Sequence, residues 1–223
     1  MIQRVYEQAS LTLDELYVAT DDLRIHDAVL SFGGRVVMTS ADHQSGTDRC
    51  AEDAAKIVSM KDTEADVVIN IQGDEPFIRP EQIELLISCF ADKSVEIATL
   101  VRKAEPGEDI TNPNHPKVVL DVLGNAIYFR WSVIPYFRDA KINEWTRMHT
   151  FYKHIGLYAY RTGTLNQITS LSPSSLEKAE SLEQNRWLEN GYKIRTALTG
   201  WESVCIDTPG DLEKAKIFFD QFK

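Results

Sequence analysis

The spacing of hydrophobic residues predicts alternating helices and strands in the first third of the chain. Ile2, Val5, Tyr6 and Ala9 repeat at the interval of an amphipathic helix. Strand and helix patterns then alternate up to residues 67–71, an almost uniformly apolar run that predicts a strand buried on both faces. Strand, helix, strand, helix, strand is the order typical of a parallel sheet covered by helices on both faces.

The second half of the chain predicts a different arrangement. Two strand patterns, 117–121 and 126–129, are separated by Gly124-Asn125, which predicts a β-hairpin. No internal repeat, low-complexity tract or linker interrupts the chain. The pattern therefore predicts one α/β domain over residues 1–223, in which residues 112–160 form an inserted hairpin region.

Composition and charge exclude several classes of protein. The 223 residues include 24 basic and 34 acidic side chains, a net charge of −10, and 43% are hydrophobic. This is the composition of a folded globular protein, and its acidity argues against nucleic acid as the main partner, because phosphate backbones bind to basic surfaces. No apolar run approaches the ~18 residues that would predict membrane insertion, and no signal-peptide pattern is present. The expected location is the cytoplasm.

Two aspartates follow predicted strands directly. Asp74 lies in the segment 72–76 after the buried strand, where Gly73 permits a sharp exit, and Asp207 follows the strand pattern 204–206. Ligands of open α/β sheets bind beyond the carboxyl ends of the strands, so both aspartates are candidate catalytic or metal-binding groups. Two carboxylates of this kind suit Mg²⁺, which keeps water and phosphate oxygens as its other ligands. The alternatives are that residues 72–76 are only a polar turn and that Asp207 caps a helix.

A polar loop before the second helix is a candidate ligand-binding loop. Ser45, Gly46 and Thr47 stand at a predicted helix start, where free backbone N–H groups favour polar or anionic ligands. Arg49 lies in the first turn, where a cation opposes the helix dipole. A ligand contact would explain that placement, and a solvated side chain is the alternative. His43 has no partner at metal-site or triad spacing.

Further candidates lie in the second half. His154 stands at the start of a predicted strand, where a hydrogen-bonding role is the alternative to a functional one. The helical pattern over residues 176–189 carries a row of polar residues that reads as a solvated face. The row consists of Glu177, Glu180, Glu183 and Gln184.

These motifs, in this order, resemble those of 3-deoxy-manno-octulosonate cytidylyltransferases, the CMP-Kdo synthetases. The resemblance extends over nearly the whole chain, and its most specific strings are Asp-His-Gln-Ser-Gly-Thr and Gln-Gly-Asp-Glu-Pro. The matching segments are 17–21, 42–49, 70–76, 112–114, 117–121, 154–158, 181–184 and 207–209.

The resemblance implies a Rossmann-like nucleotidyltransferase fold, with a mostly parallel three-layer sheet and an inserted hairpin region for dimerisation and sugar binding. Such enzymes are usually homodimers that join CTP to the acidic eight-carbon sugar Kdo and release pyrophosphate, giving CMP-Kdo for lipopolysaccharide synthesis. Matched by motif, Asp74 and Asp207 would be the Mg²⁺ ligands. The expected CTP contacts are Ser45, Gly46, Arg49 and Gln72; the expected sugar contacts are His154, Tyr158, Glu183 and Gln184.

The chain departs from the family pattern in three places. The family's opening strand and basic phosphate-binding loop would precede Met1, so we expect both to be absent from these 223 residues. Trp131 stands where the family has a sugar-binding arginine, and Arg130 or Arg138 is a candidate substitute. Asn185 and Gly210 replace a leucine and a glutamate, for which we expect small effects.

These departures leave alternatives open. Without the phosphate-binding loop, the chain could be an inactive or weakly active remnant that dimerises or binds nucleotide. The Trp131 departure also allows a cytidylyltransferase for a related sugar acid such as 8-amino-Kdo.

Overall fold

The computed structural model describes residues 1–62, 65–202, 206, 210, 213 and 215. The chain forms two compact units. The first comprises residues 1–65, 70–84 and 203–223, and the second comprises residues 66–69 and 85–202. The predicted Mg²⁺ ligand Asp207 lies outside the described residues.

The first unit begins with helices alternating with two short parallel strands. Val18 pairs with Val36 and Thr20 with Met38. Val5 and Ala9 are buried, which confirms the amphipathic helix predicted at the start of the chain. The elements are α1 (Ile2–Ala9), β1 (Val18–Thr20), α2 (Leu23–Ser31), β2 (Val36–Met38) and α3 (Gly46–Lys61).

The second unit carries the larger sheet. Its strand order is β6-β5-β7-β4-β8, and β3 also pairs with β7. β3 and α4 each span residues of both units. The elements are β3 (Val67–Asn70), α4 (Pro80–Cys89), β4 (Ile97–Lys103), β5 (Lys117–Leu120), β6 (Ala126–Arg130), a 3₁₀ turn (Ile142–Glu144), α5 (Trp145–Met148), β7 (Tyr152–Arg161), α6 (Thr162–Ile168), α7 (Ser175–Glu180), α8 (Gln184–Glu189) and β8 (Ile194–Leu198).

The α/β fold class is confirmed, but the larger sheet is mixed rather than mostly parallel. β4 runs parallel to β8 and antiparallel to β7, and β5 is antiparallel to both β6 and β7. The predicted hairpin explains part of this difference. A tight turn such as the one at Gly124 joins only antiparallel strands, whereas a parallel pair needs a crossover such as the helices between β4 and β8.

The prediction of one continuous helix over residues 176–189 is wrong. α7 ends at Glu180, Ser181 adopts the left-handed conformation with φ 52°, and α8 begins at Gln184. Glu180 of α7 and Asn185 of α8 both form hydrogen bonds to residues of β6, so the two short helices attach to one strand on either side of the break. The polar row is consequently divided between two helices and the turn between them.

The core of the second unit is built on β4 and β7. Ile97, Ala98, Leu100 and Tyr160 are fully buried. A satellite cluster packs Trp145 and Phe151 together with Ile110. No helix within the described ranges is both long and apolar enough to cross a membrane.

Candidate functional site

A bulge in β7 brings two predicted sugar contacts together. In the ladder between β4 and β7, Thr99 pairs with Tyr158 but the next residue, Leu100, pairs with Ile155. Gly156 and Leu157 are therefore extra residues, and the strand is shortened. Four residues of a regular strand span about 13 Å, yet the ring centroids of His154 and Tyr158 lie 5.2 Å apart.

Thr99 holds the bulge in place. Its hydroxyl lies 2.8 Å from the Leu157 carbonyl oxygen and 3.2 Å from that of Ile155, and Thr99 itself is completely buried. The same hydroxyl oxygen lies 3.0 Å from Nε2 of His154. Since the single hydroxyl proton is directed at a bulge carbonyl, Nε2 of His154 carries a hydrogen and donates it to Thr99. The Nδ1 atom of His154 is then a hydrogen-bond acceptor.

His154 is uncharged at neutral pH. Burial lowers the pKa of its imidazole to about 3, because desolvation disfavours the charged form. The edge of its ring also meets the ring of Phe129 at a centroid distance of 5.0 Å. The imidazole is therefore fixed in orientation and offers a neutral acceptor.

Tyr158 supplies a neutral phenol beside that imidazole. Burial raises its pKa well above the usual value, and the nearby Tyr160 and Glu183 raise it further. Within the described part of the chain, no group completes a hydrogen bond of normal geometry with its hydroxyl, although Thr99 is close enough to lower its pKa slightly. A buried hydroxyl in this condition is suited to donating a hydrogen bond to a ligand.

The turn between α7 and α8 carries the other two sugar candidates. Glu183 precedes α8, and its carboxylate lies 3.9 Å from Arg186. Gln184 is only 5% exposed, and its side-chain amide forms no hydrogen bond to the residues that the structure describes. Glu183 is near enough for its charge to raise the pKa of Tyr158. The structure therefore brings together three of the predicted sugar contacts, His154, Tyr158 and Glu183. Gln184 is the next residue in the sequence.

Arg138 is not part of this group. Its side chain is exposed, in the segment between β6 and the 3₁₀ turn, and it forms no ion pair with the described residues. Trp131, at the position of the family's arginine, turns its indole N–H toward the Glu180 carbonyl oxygen at 2.5 Å. The predicted polar row is also not a solvated face, because Glu177 binds Arg186 through both carboxylate oxygens and Glu180 contacts β6.

In the first unit, the predicted ligand-binding loop forms the start of α3. The Ser45 hydroxyl accepts a hydrogen bond from the Asp48 N–H at 3.1 Å and so caps the helix. Gly46 is the first helical residue, and a Cβ added to it would lie 3.5 Å from the side-chain amide of Asn70. Gly46 and Asn70 thus place the free N-terminus of a sixteen-residue helix beside the end of β3.

Arg49 has an internal role that the sequence did not indicate. Its guanidinium donates to the Thr39 hydroxyl at 2.6 Å and to the Ser40 carbonyl, and it lies 3.3 Å from the Asp21 carboxylate. These contacts tie the loops after β1 and β2 to α3. These contacts explain why Arg49 stands in the first turn of the helix, and no ligand is needed to explain its position. The contact of Arg49 with CTP stays a prediction.

His43 also has a partner that sequence spacing did not reveal. It contacts the carboxylate of Glu52, nine residues later on α3. Hydrogen bonds from Lys56, from the Ser40 N–H and from His43 lower the pKa of Glu52 to about 2. This network shapes the loop after β2.

Asp74 lies in the turn after β3, as predicted. It is half-buried, whereas Gln72 is exposed. The Asp74 carbonyl oxygen accepts a hydrogen bond from the N–H of Ile206 at 3.1 Å, and Asp207 is the next residue in the sequence. The described residues contain no group of three or more His, Cys, Asp or Glu side chains able to hold a metal ion.

Sequence reasoning missed Thr99, the residue that orders the sugar candidates. A threonine inside an apolar strand is a common β-forming residue, so its type carried no signal. Gly156 did carry one, because a lone glycine inside a strand pattern often marks a bulge.

Comparisons with known proteins identify the family of the chain. The sequence profile of the family described as Cytidylyltransferase matches residues 1–194. The chain is 57% identical to the 3-deoxy-manno-octulosonate cytidylyltransferase of Parabacteroides distasonis over 98% of its own length and 87% of the relative's. It is 56% identical to the enzyme of the same name from Bacteroides thetaiotaomicron, with the same two coverages.

A solved structure agrees as well. CMP:2-keto-3-deoxy-manno-octonic acid synthetase complexed with CTP superposes with a TM-score of 0.89 at 39% identity, covering all of this chain and 88% of that one. The fold is accordingly that of the Rossmann-like nucleotidyltransferases. On the identity and coverage of these relatives, the chain belongs to the 3-deoxy-manno-octulosonate cytidylyltransferase family.

Proposed function

We propose that this protein transfers CMP from CTP to the anomeric hydroxyl of 3-deoxy-D-manno-octulosonate (Kdo), releasing pyrophosphate and forming CMP-Kdo for lipopolysaccharide synthesis. The observation that carries the proposal is the β7 bulge. It sets His154 beside Tyr158, with Glu183 near, in a chain 57% identical to an enzyme named for this reaction.

The first unit is proposed to bind the nucleotide. Ser45 and Gly46 present the N-terminus of α3, where helix N–H groups and the helix dipole favour phosphate. Arg49 and Gln72 are the further proposed CTP contacts. Because Arg49 is held by Thr39 and Asp21, its contribution is a fixed positive charge and a rigid loop.

Mg²⁺ is proposed to bind at Asp74 and Asp207. A half-buried carboxylate at a strand end fits this ion, which takes one or two carboxylates and fills its other positions with water and phosphate oxygens. The backbone bond from Ile206 to Asp74 supports the pairing, since Asp207 follows Ile206. When bound, the ion supplies positive charge that offsets the charge developing on the triphosphate.

The second unit is proposed to bind the sugar. The neutral His154 accepts a hydrogen bond at Nδ1, Tyr158 donates one from its buried hydroxyl, and the Gln184 amide can do both. These groups orient the anomeric hydroxyl for attack. Its oxygen bonds to the α-phosphorus of CTP and its proton passes to solvent, while the bond from that phosphorus to pyrophosphate breaks. Such a reaction is catalysed mainly by positioning and electrostatics.

We also propose that the enzyme is cytoplasmic and acts as a homodimer through the inserted region 112–160. The apolar side chains exposed on the β5–β6 hairpin support the dimer, with Val122 fully exposed, Leu123 71% exposed and Ile127 56% exposed. Exposed apolar groups gathered on one hairpin are typical of association surfaces.

The direct test is pyrophosphate release by the purified chain with CTP, Mg²⁺ and Kdo. We expect release only when all three are present, and we expect Kdo to be a better acceptor than 8-amino-Kdo. Release that does not depend on a sugar acid, or no release with either acceptor, would contradict the proposal.

Thr99→Val tests the bulge. Valine keeps the volume but removes the hydroxyl that bonds a bulge carbonyl and accepts from Nε2 of His154, so we expect the free energy of unfolding to fall by about 1–3 kcal/mol. We also expect the KM for Kdo to rise and the KM for CTP to stay unchanged.

The matched control for this variant is Thr169→Val. Thr169 loses a hydrogen bond of the same kind, 3.1 Å from its hydroxyl to the Leu165 carbonyl, at the end of α6. Urea unfolding and steady-state kinetics on both variants check the prediction. A Thr99→Val enzyme whose KM for Kdo moves no more than that of Thr169→Val would show that the bulge does not serve the sugar.

A further inference from the structure

Two residues that depart from the family pattern fasten the turn between α7 and α8 to strand β6. At one end, the indole N–H of Trp131 donates to the Glu180 carbonyl oxygen at 2.5 Å, and the Trp131 backbone N–H donates to the Glu180 carboxylate at 3.2 Å. At the other end, the Asn185 amide donates to the Phe129 carbonyl at 2.9 Å and accepts from the Phe129 N–H at 3.3 Å.

The Asn185 attachment is buried, and the Trp131 attachment is part-buried. Asn185 and Phe129 are completely buried, so their polar atoms have no access to water and depend on each other. The Glu180 carboxylate also accepts a hydrogen bond from the Tyr128 hydroxyl at 3.0 Å. A leucine in place of Asn185 would leave the edge of β6 without either hydrogen bond.

Glu183 and Gln184 lie between the two attachments. The turn needs an external hold, because Ser181 is in the left-handed region that a residue with a side chain rarely adopts. Phe129 extends the connection further, since its ring packs on His154. The attachments thus join the turn to the same strand that supports the imidazole.

We propose that Trp131 and Asn185 are positioning residues for the sugar acid: together they hold residues 180–185 against β6 and so fix Glu183 and Gln184. The inference rests on the proposed function. Trp131 then acts through the turn and makes no contact with the sugar in the manner of the family's arginine. The sequence predicted only a small effect of Asn185, whereas here Asn185 forms two hydrogen bonds that hold the turn against β6.

Trp131→Phe and Asn185→Leu test the proposal. Phenylalanine keeps an aromatic ring without the indole N–H, and leucine keeps the volume of Asn185 without its amide. We expect the KM for Kdo to rise about 3- to 10-fold in Trp131→Phe, as for the loss of one hydrogen bond, and more in Asn185→Leu. The KM for CTP should stay unchanged, and kcat should change by less than the KM for Kdo.

Trp145→Phe is the matched control. Trp145 is buried and makes the same kind of bond, 3.0 Å from its indole N–H to the Ala140 carbonyl, in the satellite cluster. We expect it to lower the Tm without changing the KM for Kdo. If Trp131→Phe behaves in the same way, its role is only structural and the proposal is overturned.

Hydrogen exchange separates this proposal from the proposed function. Amide exchange of residues 182–185 should be faster in Trp131→Phe than in the wild type, whether or not Kdo is turned over. Unchanged exchange would overturn the proposal. This measurement decides the matter even if Asn185→Leu does not fold. Wild-type protein that neither binds Kdo by calorimetry nor releases pyrophosphate would contradict the proposed function, and with it the role toward the sugar, while the exchange result would still report on the attachment.

Discussion

Asp74→Asn is expected to lower kcat for pyrophosphate release by at least about 10²–10³-fold while leaving the fold intact. Asparagine has nearly the same shape as aspartate but no negative charge, so it is a much weaker ligand for Mg²⁺. The fold should survive because the hydrogen bond between Ile206 and residue 74 uses the backbone carbonyl, which the substitution does not alter.

A binding measurement makes this prediction sharper. Calorimetry of CTP binding with and without Mg²⁺ should show a strong dependence on Mg²⁺ in the wild type and a weak one in Asp74→Asn. Asp139→Asn, an exposed aspartate of the second unit, is the control that changes net charge equally and should leave both measurements unchanged. Near-normal pyrophosphate release by Asp74→Asn would remove Asp74 from the metal site.

Local patterns in the sequence predicted much of the first unit and the hairpin. Periodicity placed α1 with Val5 and Ala9 inside, and the polar loop predicted a helix start at residues 45–47, where α3 begins. The turn after β3 puts Asp74 where a strand-tip carboxylate was expected. Each of these features depends on neighbours within a few residues, so the sequence alone carries the information.

The remaining features depend on contacts between residues far apart in the chain. Thr99 acts across 55 residues on His154, and Asn185 acts across 56 on Phe129. Such contacts hold the bulge and the turn after Ser181, and of the two only the bulge had a local signal, the glycine at position 156. Arg49 shows the same limit, since Asp21 and Thr39 explain a placement that local reasoning assigned to a ligand.

Lys153→Met is expected to lower the free energy of unfolding by about 3 kcal/mol at pH 7. Three cations, Lys117, Lys153 and Arg102, stand opposite one another on β5, β7 and β4. Lys117 and Lys153 are almost completely buried. Like charges directly opposed in a sheet repel, so the row depends on acidic partners. Glu108 contacts Lys153 and lies 3.0 Å from Arg102, and the more exposed Glu202 also contacts Lys153.

The pH dependence of the stability loss in Lys153→Met shows whether the Lys153–Glu108 ion pair causes it. Burial would raise the pKa of Glu108, but hydrogen bonds from Lys153, from the Glu105 N–H and from Arg102 lower it from 4.5 to about 2. A carboxylate with a lowered pKa stabilises the fold above pH 4.5, and this contribution is lost as the pH falls toward 2. The penalty of Lys153→Met should therefore be largest at pH 7 and shrink below pH 4.

Urea unfolding at pH 7 and pH 3 measures this difference. Lys93→Met, at an exposed lysine, should change stability by less than about 0.5 kcal/mol at both. Glu108→Gln combined with Lys153→Met should cost less than the sum of the two single substitutions, because both remove the same ion pair. A penalty equal at both pH values, with additive losses in the double variant, would mean that Lys153 stabilises the sheet through the packing of its aliphatic chain.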